Sequence, residues 1–149
     1  MPWKTFFIST LFVISCNSGG YPDRPPSIRY GEDPCDECFM LINEGRYAAT
    51  YATTGGQSRR FDDIGCLLAY NDKHREDVAN YWVADYSNQR WLLADKALFF
   101  KSDSIQTPMG SGIIAFDSER VARDSIPLIK QETLIKFSQL LEKTKELPY

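Results

Sequence analysis

The apolar positions of this chain fall into short runs separated by polar turns, and few of those runs have the length or period of a long helix. Residues 38–42 (CFMLI) suit a strand, and residues 46–53 (RYAATYAT), loosely alternating and rich in Tyr and Thr, suit a second. Residues 54–57 (TGGQ) read as a turn. Phe61-Asp62-Asp63 then opens a helix, with an aspartate as N-cap and acidic charge at its positive end. Ile64, Leu67, Leu68 and Asn71 follow at helical spacing. Further on, residues 81–86 (YWVADY) and 90–93 (RWLL) bracket Ser87-Asn88-Gln89 as a hairpin. Residues 97–101 (ALFFK) predict a strand, 102–111 a polar loop and 112–116 (GIIAF) a buried strand. Asp117 or Ser118 caps a helix through Ile126, residues 132–137 (ETLIKF) alternate again, and Ser138 caps a terminal helix over 139–146. Phe61-Asp62 and Phe116-Asp117 each open a helix after a strand, so each half reads strand, strand, helix, strand. The pattern predicts an α+β fold of two ββαβ-like units in one compact domain.

The beginning of the chain follows a different pattern. Residues 5–14 (TFFISTLFVI) are almost wholly apolar behind the positive charge of Lys4. At roughly ten residues the run is shorter than the ~20 a spanning helix needs, and its length and flanks suit the apolar region of a signal peptide. It ends in Val13-Ile14-Ser15-Cys16, which resembles a bacterial lipobox with Cys16 as the lipid-modified residue; an ordinary secretory signal is the alternative. Residues 17–32 (NSGGYPDRPPSIRYGE) cannot bury a core and read as a flexible tether. The expected organisation is a signal peptide over 1–15, lipidated Cys16 and tether over 16–32, and one domain over 33–149. This places the protein outside the cytoplasm on a membrane anchor. Asn17 after Cys16 leaves the inner and outer bacterial membranes both open. The net charge of −3 and the absence of a basic stripe argue against nucleic-acid binding.

Three cysteines remain after Cys16, and an odd number in an oxidising compartment leaves at least one thiol free, ligated or paired between molecules. Cys35 and Cys38 are spaced C-x-x-C, with Met40 two residues on. In an extended segment Cys38 and Met40 share a face. Met109 stands in a turn, Thr107-Pro108-Met109-Gly110, where burial gains little. Thiolate and thioether donors together suit Cu(I), a soft closed-shell ion, whereas the single histidine, His74, makes an imidazole site hard to build. Cys38, Met40, Met109 and Cys35 are thus the candidate ligands, and a flexible Met109 loop would suit release of the ion.

Each feature has another explanation. Cys35 and Cys38 could form a disulfide or a redox pair, or half of a zinc knuckle, although no second ligand pair of that kind exists. Met40 could fill the core. Cys66, between apolar helix positions, reads as a buried thiol, and His74 lies in a charged run normally solvated. Asp62 and Asp63 look like helix caps. No nucleophile and base stand in a catalytic arrangement, so no enzyme is expected.

Several separated motifs in order resemble the NosL family. They are Cys38-x-Met40, residues 61–70 (FDDIGCLLAY), Trp82-Val83-x-Asp85-Tyr86, Trp91, Ala94-x-Lys96-Ala97, and Thr107-Pro108-Met109-Gly110-x-Gly112-Ile113-x-Ala115-Phe116. The resemblance runs from about Cys35 to the end. It implies a periplasm-facing lipoprotein that binds Cu(I) and delivers it for maturation of nitrous oxide reductase, alongside an ABC-type transporter complex. It also implies a fold of two ββαβ-type units, with Cys38, Met40 and Met109 as ligands. Cys35 departs from the family pattern, as an added ligand or a redox partner of Cys38, and the role of Cys66 stays open.

Overall fold

In the computed structural model, Met1 and residues 23–127, 129 and 133–145 are described. The expected signal peptide, Cys16, the first part of the tether, Glu132 and Glu146 lie outside the described residues. Packing begins inside the expected tether: Ile28 rests on the core, and the Ser27 carbonyl accepts a 2.6 Å hydrogen bond from Arg60 Nε. Among the described residues no helix is long and apolar enough to cross a membrane.

A short 3₁₀ turn, Gly45–Tyr47, leads into β1 (Ala49–Thr53), β2 (Ser58–Phe61), α1 (Ile64–His74), β3 (Val78–Ala84) and β4 (Trp91–Leu93). Then come β5 (Leu98–Lys101), β6 (Ile113–Phe116), α2 (Glu119–Ser125) and α3 (Phe137–Lys145). The first four strands form an antiparallel sheet in the order β2-β1-β3-β4, and β5 pairs with β6 in a second. The two sheets join at Asp85 and Ala115, where the Tyr86 N–H donates to the Ala115 carbonyl.

The two-unit expectation holds, with its strands reassigned. In the first unit β1 is flanked by β2 and β3 around α1; in the second β5 is flanked by β6 and by a single bridge at Ile135, around α2. Residues 38–42 are no strand, because Phe39 turns the backbone to φ +63° and Leu41 only bridges back to Pro34. The expected strand over 132–137 shrinks to Ile135, and Phe137 instead opens α3. Asp63 caps α1 and Ser118 caps α2, each accepting a backbone N–H in the first turn. At α3 the Gln139 side chain, not Ser138, answers an orphan donor, accepting from the Lys136 N–H at 2.8 Å.

Alternation along β5 and β6 explains why both are buried. Phe99, Ile113 and Ala115 face a core shared with Tyr51, Phe61, Leu67 and Val83, whereas Phe100, Ile114 and Phe116 face a second core with Ala122 and Ile129. Each fully buried large apolar side chain contributes about 1.5–3 kcal/mol.

On the rim of the first core, Glu76 accepts from the Tyr51 hydroxyl at 2.6 Å and from Arg59 Nε at 3.1 Å. The Arg59 hydrogen bonds hold the Glu76 carboxyl below the usual carboxylate value. A lowered carboxyl stabilises the fold fully above its ordinary value, and that contribution is lost as pH falls through the lowered one. Glu76→Gln is therefore expected to cost about 1–3 kcal/mol in urea unfolding at neutral pH, with the difference from wild type shrinking in acid.

Candidate metal centre

Residues 33–42 fold into a tight loop closed by backbone bonds. The Ile42 N–H donates to the Asp33 carbonyl at 3.0 Å, the Cys35 N–H to the Met40 carbonyl at 2.8 Å, and the Phe39 N–H to the Cys35 carbonyl at 3.0 Å. The loop is fastened to β2, for the Asp36 N–H donates to the Arg60 carbonyl and the Arg60 N–H to the Asp36 carboxylate. An ion pair between Lys73 and Glu37 fastens it to α1. The turn leaves Phe39, Met40 and Leu41 exposed, Phe39 to 80%.

This loop brings Cys35 and Cys38 to the N-terminal turn of α1. Sγ of Cys35, Cys38 and Cys66 and a carboxylate oxygen of Asp62 all lie within 4.8 Å of one another. Cys35 is fully enclosed, Cys66 and Asp62 are buried, and Cys38 is half-buried on the open side. All three thiols are free. The Cys38 thiol donates to Asp62 Oδ1 at 3.5 Å, and no cation pairs with Asp62 among the described residues. A buried carboxylate needs a cation or strong hydrogen-bond donors, and a thiol is a weak donor; the three sulfurs beside Asp62 make the set suit a soft cation.

The three thiols are also unequal in acidity. The neighbouring Cys66 thiol, with the backbone N–H groups of Cys38, Asp62 and Glu37, outweighs burial and holds the Cys35 thiol below its usual value. Cys66 is pushed up by the neighbouring Cys35 thiol and by burial. Burial, then the neighbouring Cys35 and Asp62, push the Cys38 thiol up to about 11, against the Met40 N–H that favours its thiolate. A metal would displace the remaining protons, because thiolates and not thiols are the ligands.

A cleft of about 320 Å³ opens onto the thiols, lined by Glu37, Cys38, Gly65, Cys66, Ala69, Met109 and Ser111. The structure thus brings Met109, half-exposed, beside Cys38 and Cys66. The Met40 side chain is not in that lining, and the strand face expected to pair it with Cys38 is broken at Phe39. Met40 meets the site through its backbone, its carbonyl accepting the Cys35 N–H. His74 stacks on Tyr70 at 3.7 Å between ring centroids, apart from this constellation.

Cys66 is the buried thiol its helix position predicts, and it stands in the cluster as well; Asp62 is not the cap, which is Asp63. The available signal was phase: Asp63 caps the helix, neighbouring extended positions point to opposite sides, and Cys66 follows in the first helical turn.

The NosL family model matches residues 28–128. Among solved structures, the crystal structure of the copper chaperone NosL from Shewanella denitrificans shares the fold, with a TM-score of 0.65 and 22% sequence identity. The match covers 80% of this chain and 96% of that one. Comparison with the curated proteins gives no match.

Proposed function

The chain belongs to the NosL family, and from that premise we propose that it is a copper(I) chaperone, held at a bacterial membrane by lipid on Cys16 and serving the maturation of nitrous oxide reductase. The observation that carries the reading is the convergence of Cys35, Cys38 and Cys66 at the foot of a cleft that Met109 also lines. A set of thiolates with one thioether at its edge favours a soft monovalent ion over harder divalent ones. Cys38 and Met109 stand on the open side, Cys35 and Cys66 form the base, and exposed Met40 is a further thioether for arriving copper.

Delivery follows from that asymmetry. An acceptor's sulfur or nitrogen can approach copper past Cys38 and Met109 and bond before the inner thiolates let go, so the ion is never released to water. A lipid tether on Cys16, following the signal peptide at 1–15, would confine the search for partners to the membrane surface and raise their effective concentration. The partners in this reading are nitrous oxide reductase and its ABC-type maturation transporter.

Thiol–disulfide exchange by Cys35 and Cys38 is the competing reading. Attack requires an accessible sulfur on the nucleophilic partner and room for the mixed disulfide, yet Cys35 is fully enclosed. The deciding experiment incubates the copper-loaded chain with copper-free nitrous oxide reductase in the presence of a copper(I) chelator. Enzyme that gains copper and activity under chelation supports chaperoned delivery. Enzyme that stays empty, as it does with free copper and chelator, contradicts it.

A further inference from the structure

Asp63 is fully buried, yet it belongs neither to the thiol cluster nor to an ion pair among the described residues. Its carboxylate meets four neutral donors. Oδ1 accepts the Gly65 N–H at 2.7 Å and the Ser111 hydroxyl; Oδ2 accepts the Thr107 hydroxyl at 2.6 Å and the Met109 N–H at 3.0 Å. Capping α1 requires only the bond to Gly65. The other three all go to the loop that carries Met109, more than forty residues away in sequence.

The close approach is built into both sides. A Cβ on Gly65 would lie 2.5 Å from Ser111 Cβ, so glycine in the first turn of α1 is what lets the loop lie against it. Four donors converge on one side chain, and only a carboxylate has the two acceptor oxygens that this requires; an amide would turn its own N–H groups towards two of them. The positive end of α1 favours the charge. The loop whose flexibility would suit release is therefore tied at the backbone of Met109 itself.

We propose that Asp63 is the positioning residue of the metal centre: it holds the Met109 backbone against the N-terminus of α1 and so keeps the thioether on the cleft wall that bears Cys38 and Cys66. Adjacent aspartates divide the work, Asp62 facing the thiols and Asp63 fixing the loop. This rests on the copper reading above.

The test is a double-mutant cycle read by anaerobic copper(I) competition, with the wild type, Asp63→Asn, Met109→Ala and the double variant. Asp63→Asn is expected to weaken binding about tenfold, in the range for residues that orient ligands. It should add almost nothing on the Met109→Ala background, because its effect passes through Met109. A merely structural Asp63 would cost the same factor on both backgrounds. Thr107→Val removes one bond to Oδ2 while sparing the cap, and serves if Asp63→Asn does not fold. Amide exchange in the metal-free protein gives a second readout: the Met109 N–H is protected in the wild type and released in Asp63→Asn. Unchanged affinity in a folded variant, equal losses on both backgrounds, or a freely exchanging wild-type Met109 amide each overturns the proposal. A wild type that cannot compete for copper(I) at all overturns the chaperone reading instead, and the exchange result still decides the clamp.

Discussion

Replacing Cys66 with serine is expected to weaken copper(I) binding by about a hundredfold or more, equivalent to about 2.7 kcal/mol. Cys66 lies with Cys35 and Cys38 in one cluster and lines the cleft beside Met109, so its loss removes a thiolate from the base of the site. A hydroxyl in its place is a hard donor that Cu(I) accepts poorly. The result separates two donor sets. If Cys38, Met40 and Met109 alone held the ion, Cys66→Ser would leave affinity unchanged. Competition against a chromogenic chelator gives the affinity, and circular dichroism shows whether the variant is folded. Cys66→Ala, which avoids placing a hydroxyl in the core, should lose as much affinity.

Gly112→Ala should produce the largest loss of stability in the Met109 loop. Gly112 has φ +66°, and a Cβ there would lie 2.2 Å from the Ser102 carbonyl oxygen. That oxygen cannot step aside alone, because Ser102 is tied through its own N–H to the Gly112 carbonyl at 3.1 Å. The left-handed conformation costs alanine about 1–2 kcal/mol, and the forced backbone shift about 1–3 kcal/mol more. Urea unfolding should therefore show a loss of about 2–5 kcal/mol. Gly110 is the internal comparison: its φ is +71° but nothing lies within 4 Å of its Cβ position, so Gly110→Ala should lose only the conformational share. Equal losses at the two glycines would mean that close contact with Ser102 plays no part.

Much of this fold was legible because local and tertiary demands agree. The capped start of α1, the hairpin turning on Ser87–Gln89 and the buried β6 all carry patterns that only one structure satisfies. The hairpin motif has a physical basis: Asp85 accepts the Ser87 N–H at 2.8 Å and the Asp117 N–H at 2.9 Å, joining its turn to the start of the α2 region. The failures share a cause as well. Ser58–Phe61 is an edge strand whose Ser-Arg-Arg sequence is polar, as solvent-facing edges tend to be, so no apolar run announced it. Residues 38–42 are apolar and suit a strand, but Phe39, Met40 and Leu41 are exposed beside the metal centre. Apolar side chains serve there as something other than core.

The centre itself was only half legible. Sulfur donors in Cys35, Cys38, Met40 and Met109 could be seen to suit one ion, but the approach of α1 could not. Cys38 and Asp62 meet across 24 residues of sequence, and Asp63 and Met109 across 46. Spacing along one chain carries no record of such encounters until the sheet and helix bring them together.

Copper(I) binding by the thiol cluster is the central claim. The most direct measurement is an anaerobic titration in which the fully reduced protein competes with a chromogenic chelator for copper(I), beside a Cys38→Ser variant. The account predicts that the wild type withdraws copper stoichiometrically from the chelator and that the variant does so far more weakly. A reduced, folded wild type that leaves the chelator fully loaded would contradict it.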